Sequence, residues 1–253
     1  MLNYTIRLLA ALTFVVMATK PVYADIILSL EKPTTAIETD IYERLQTSET
    51  LHTAMEFMSQ YFLTPDDVSL SFGSYERIWH QNGRIEIPYL FIKDTQDNYR
   101  STRFAHKKTH IDTYTGNVLL HVILHEFAHA LIGQYNLPIV GREEDAADAF
   151  ADVMLIHFFD RGADVVISAA DLFFINDKRT PRFVKEDFWG DHSLDKQRYY
   201  RRLCHAYGSN PSQYNAIKHQ ARFTEQKAER CIAEYHQTKT RWLTLLQPTF
   251  RRP

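Results

Sequence analysis

The chain has 253 residues, 45% of them hydrophobic and 24% charged, proportions that supply a packed core and exclude wholesale disorder. Its formal net charge of −2, with the basic residues scattered, excludes the strong positive field that nucleic acid requires, so no nucleic-acid partner is expected. With 8 glycines and no repeating period, repeat and fibrous classes fall away too, leaving one folded domain.

In chain order, residues 1–24 place Arg7 before an apolar run from Leu8 to Ala18 and end in Val22-Tyr23-Ala24, the pattern of a cleavable signal peptide. The run is too short to span a bilayer comfortably. The expected product is an exported protein, periplasmic or secreted, with 25–253 as its domain and no stable membrane insertion after cleavage. Asp25 to Lys32 read as a short strand, and Ile41 to Phe62 carry apolar residues at helical spacing until Pro65 stops the pattern. Val68, Leu70 and Phe72 then alternate with serines, and Arg84-Ile85-Glu86-Ile87 alternates again. A hairpin-like sheet between Asp67 and Ile92 follows, turning at Asn82-Gly83. Beyond about Asp94 the pattern is helical, with breaks at Asn136-Leu137-Pro138, Gly141, Gly162, Pro181, Gly190 and Gly208-Ser209-Asn210-Pro211. The expected fold is α+β: a mostly helical single domain with a small β-sheet.

The stretch from Asn117 to Tyr135 is apolar on nearly every side except its histidines, Glu126 and Gln134, as in a helix buried in a core. Within it lies His125-Glu126-Phe127-Ala128-His129. Histidines four apart project from one helical face and can converge on one ion, while the intervening glutamate can reach a water held there. Buried imidazoles and a buried carboxylate need partners, which favours a metal over chance. His121 points the same way, but three successive turns span about 12 Å, too far for one ion to take all three rings. The Gly and third His of a metzincin site are absent, with Ile132 and Tyr135 in those places.

A third donor can come from the next segment, Gly141 to Ala151, which reads as a turn and a helix with acids in its first turn. Glu144 and Asp148 share one face across the small Ala147, so Glu144 can bind the metal while Asp148 accepts an N–H from a ligating histidine. The five loop residues from Leu137 to Gly141 span up to about 17 Å, enough to bring the second helix back to His129. Cys204 and Cys231 are the only cysteines; in an oxidising compartment they can pair, although spacing alone does not show that they meet.

His125-Glu126-x-x-His129 followed by Glu144-x-x-Ala147-Asp148 resembles the gluzincin class of zinc peptidases. More narrowly, the stretch from Leu119 to Ala151, with Gly141-Arg142-Glu143-Glu144-Asp145-Ala146-Ala147-Asp148, resembles a bacterial metallopeptidase family catalogued as a domain of unknown function. The similarity extends to Asp191-His192-Ser193-Leu194, Gln197-Arg198 and the two cysteines. The resemblance implies a zincin-like active-site helix, with His125, His129 and Glu144 as zinc ligands and Glu126 as the base that cleaves a peptide or protein substrate. His192, in a loop-like segment, is a candidate donor to the oxyanion. Two other readings stay open: a non-catalytic metal-binding module, and a helical interaction protein with a fortuitous motif.

Overall fold

The computed structural model describes residues 24–100, 110–179 and 182–251. The expected signal peptide lies outside the described residues except for Ala24, as does the break expected at Pro181. From β1 (Ile26–Leu30) the chain passes through α1 (Ala36–Gln46) and α2 (Glu49–Tyr61) to β2 (Val68–Gly73), β3 (Trp79–Gln81) and β4 (Arg84–Pro88). Next come α3 (Tyr89–Arg100), α4 (Ile111–Tyr135), α5 (Glu143–Phe158) and α6 (Gly162–Arg179). The chain finishes with α7 (Glu186–Trp189), α8 (Asp195–Ser209), α9 (Asn215–Gln220) and α10 (Glu225–Leu245). The fold is α+β and mostly helical, as expected.

Two expected elements differ. The apolar pattern from Ile41 to Phe62 is two helices, because Ser48 Oγ accepts the Leu51 N–H and so starts a new helix by capping it. The hairpin is confined to β3 and β4. They turn at Asn82-Gly83 with φ of 50° and 77°, both in the left-handed region that such a tight turn needs, and a Cβ on Gly83 would lie 2.6 Å from Asp67 O. The sheet order is β1-β2-β4-β3, with β1, β2 and β4 parallel and β3 antiparallel at the edge. Burial decides this arrangement: Val68, Leu70 and Phe72 of β2 are fully buried between two neighbours, whereas β3, reading Trp-His-Gln, is partly exposed and takes the edge.

The centre of the core is α4, which packs against α2, α3, α5, α6 and β3. It is long and apolar enough to cross a membrane, but most of its length is buried inside the fold. Its C-terminal turn is closed by Asn136 at φ 46°, with the Leu137 N–H bonded to Ile132 O at 3.0 Å. The chain then turns and lays α5 along α4. Cys204 and Cys231 form a disulfide joining α8 to α10, their Cα atoms 4.9 Å apart. Gly208 permits this approach, since a Cβ there would lie 2.2 Å from Cys231 O.

Candidate metal centre

One face of α4 and the first turn of α5 create a cluster of donors. His125 and His129 turn their Nε2 atoms toward each other, 3.3 Å apart, and Glu144 Oε2 lies 3.0 Å from the first and 3.5 Å from the second. Behind each ring a carboxylate meets the other nitrogen. Asp148 Oδ1 is 2.8 Å from His125 Nδ1, and Glu143 Oε1 is 2.7 Å from His129 Nδ1. At His129 the hydrogen bond to Glu143 on Nδ1 fixes the tautomer that leaves the Nε2 lone pair free, the arrangement that presents imidazole to a cation. One donor atom from each of His125, His129 and Glu144 lies within 4.8 Å of the others, so these groups could hold a metal ion. Two nitrogens and one oxygen are the donor types of a catalytic site with an open position.

The packing also sets the charges of these groups. Burial alone would raise the Glu144 carboxyl, but hydrogen bonds from His125, His129 and His192 outweigh it and hold the group far below the usual carboxylate range. Asp148 is likewise held low despite its burial, chiefly by the Arg202 and Arg198 guanidinium groups. Burial disfavours the charged form of His125, yet Asp148, Glu144 and Glu126 together push it up to about 9. The Glu126 carboxyl is itself pushed up by burial, against the pull of the His125 and His129 rings. It is a buried group that borders a cavity of about 640 Å³.

A family model described as "Putative metallopeptidase" matches residues 30–246. The chain belongs to that family. No curated protein and no solved structure matches it.

In this member of the metallopeptidase family His192 also reaches the cluster, its Nε2 2.7 Å from Glu144 Oε2 and its ring parallel to that of His125. His121 does not. It is buried against Asp152 at 2.9 Å, which also accepts from His205 Nδ1 at 2.8 Å. Burial holds the His121 ring down to about 4, so it is neutral. The disulfide is not among the donors; it tethers α8, whose Arg198 clasps Asp148 through two bonds of 2.8 Å and whose wholly buried Arg202 touches it at 2.6 Å.

Several of these residues carry little sequence signal. Glu143 is marked only as one more acid in an acidic helical turn, and Arg198 only as part of the wider family resemblance. Arg142 bonds the Gly190 and His192 carbonyls, both at 2.8 Å, and so holds the His192 loop against the start of α5. His80 lies in edge strand β3, far away in the chain. Its ring stacks on His129 at 4.4 Å, and its Nδ1 is 3.9 Å from Glu126 Oε2. His80, His129 and Glu143 make a second trio of close donors. It shares His129, however, and Glu143 already occupies that ring's Nδ1, so the first trio is the better cradle.

Proposed function

We propose that the chain is an exported zinc peptidase of gluzincin type that hydrolyses amide bonds in peptide or protein substrates. The observation that carries this reading is the convergence of His125 Nε2, His129 Nε2 and a Glu144 oxygen, with the buried carboxylate of Glu126 on the same helix. His125, His129 and Glu144 would hold the zinc ion, which when bound supplies a Lewis acid that activates water and polarises the scissile carbonyl.

Glu126 does the proton work. Its carboxylate takes a proton from the attacking water and hands it to the leaving nitrogen, and a carboxyl pushed up by burial is better matched to both steps than an exposed one. His192 would donate an N–H to the oxyanion after exchanging its present partner, Glu144, for substrate. Asp148 and Glu143 hold the two histidine rings in orientation. The leader-like residues 1–24 support export to the periplasm or beyond, and the Cys204–Cys231 disulfide fits an oxidising compartment.

The deciding experiment compares wild type with Glu126→Gln for metal content and for hydrolysis of a mixed peptide library. Both proteins should carry one zinc, and only the wild type should cut, in a chelator-sensitive manner. Equal turnover by the two proteins, or absence of zinc from both after incubation with the metal, would refute the assignment.

A further inference from the structure

Two cavities flank the donor cluster, one on either side of His80. The cavity of about 640 Å³ that touches His125, Glu126 and Glu144 continues past Trp79 and His121 to Arg77. A second cavity, of about 660 Å³, begins at His129 and Glu143 and continues past Gln81 and Gly133 to Gln134. His80 borders both. The two walls run in register, since the strand side passes from Arg77 to Gly83 as the helix side passes from His121 to Gln134, with His80 and the histidine pair midway.

At about 1.5 Å per helical residue the groove is ~20 Å long, leaving ~10 Å on each side of the donors. An extended chain advances about 3.3 Å per residue, so each arm seats about three residues. One arm is walled by Phe91, Leu172 and Phe173 together with Arg77 and Asp191, the other by Asp66 and Gln134. An enzyme that trims chain ends needs the groove closed about one residue from the metal, with a group there to take the terminal charge. Here a cavity extends well beyond one residue on each side of the donors, to Arg77 on one and to Gln134 on the other.

We infer that the chain is an endopeptidase, which seats an extended peptide along this groove with about three residues on either side of the scissile bond. The inference rests on the peptidase reading above. Gly133 offers a probe outside the metal and proton machinery: it lines one arm, and a Cβ added there meets nothing within 4 Å, so Gly133→Trp starts from open space and puts bulk into that arm.

The test uses zinc-loaded protein with ten-residue peptides, acetylated and amidated or with free ends. The blocked peptides should be cut internally at rates within about threefold of the free ones, and Gly133→Trp should slow cutting by about tenfold or more with its zinc content unchanged. Binding is read separately, by fluorescence anisotropy of a labelled blocked peptide on zinc-loaded Glu126→Gln, and adding Gly133→Trp should weaken it by a similar factor. Cutting that demands a free terminus, or cutting and binding indifferent to Gly133→Trp, overturns the inference while leaving a peptidase. Tight binding of blocked peptides that the wild type never cuts overturns the peptidase reading itself, so the two failures are told apart.

Discussion

Asp148 stands behind His125, its Oδ1 2.8 Å from the ring's Nδ1, on the side opposite the Nε2 that faces Glu144. The acid is not free to follow the ring, because Arg198 grips both its oxygens and Arg202 a shared one. The ring plane of His125 is therefore set by α8 through α5. Asp148→Asn keeps the shape but removes the charge, and zinc affinity should fall about tenfold or more. A zinc dissociation constant equal to that of the wild type would show that Asp148 serves only the arginines.

Glu144 should behave differently from the acids behind the rings, since its oxygen lies between the two Nε2 atoms instead of beyond them. Glu144→Ala should release zinc, and metal analysis of the purified variant should find well under one equivalent. Full stoichiometry would place the third donor elsewhere, with Glu143 the first to examine.

His80 holds the other exposed side of the cluster. Its ring lies flat on His129, with an interplanar angle of 13°. A stacked ring pair contributes about 0.5–1.5 kcal/mol, so His80→Ala should weaken zinc binding by roughly 2- to 10-fold, and His80→Phe, which keeps a flat ring, should recover most of it. If Phe and Ala behave alike, stacking is not what the residue contributes.

Asp152 makes the acid sensitivity of the fold calculable in sign. Burial alone would raise its carboxyl, but hydrogen bonds from His121 and His205 and the Arg202 charge outweigh burial and hold it well below the ordinary 3.8. A carboxyl that ionises more readily folded than unfolded stabilises the protein above its unfolded pKa, and that contribution drains away as pH falls through the folded value. Asp152→Asn should therefore lower Tm at pH 7, with a deficit that narrows once the pH falls below about 4, where the wild-type acid protonates on unfolding. Melting curves from pH 7 to 3 read this directly. A deficit independent of pH would assign the loss to packing alone.

What the residues alone determined is what repeats along one element. Two histidines four apart, the acid between them, and Glu144 with Asp148 four further on share faces in any helix, because the helical period belongs to the chain and not to its neighbours. The Asn82-Gly83 turn and the helix end at Asn136 were legible for the same reason: few residues other than glycine and asparagine enter the left-handed region cheaply.

Which faces meet was decided only by the tertiary structure. Glu143 and Glu144 are neighbours of the same type, and only the packing of α5 on α4 sends one behind His129 and the other between the rings. His80, Arg198 and Arg202 arrive from a strand and a helix distant in sequence. The pairing of Cys204 with Cys231 depends on α8 lying against α10, and the sheet order on which strands must bury both faces. These choices are made by the summed burial of many side chains over the whole core, a cooperative quantity that no local window contains.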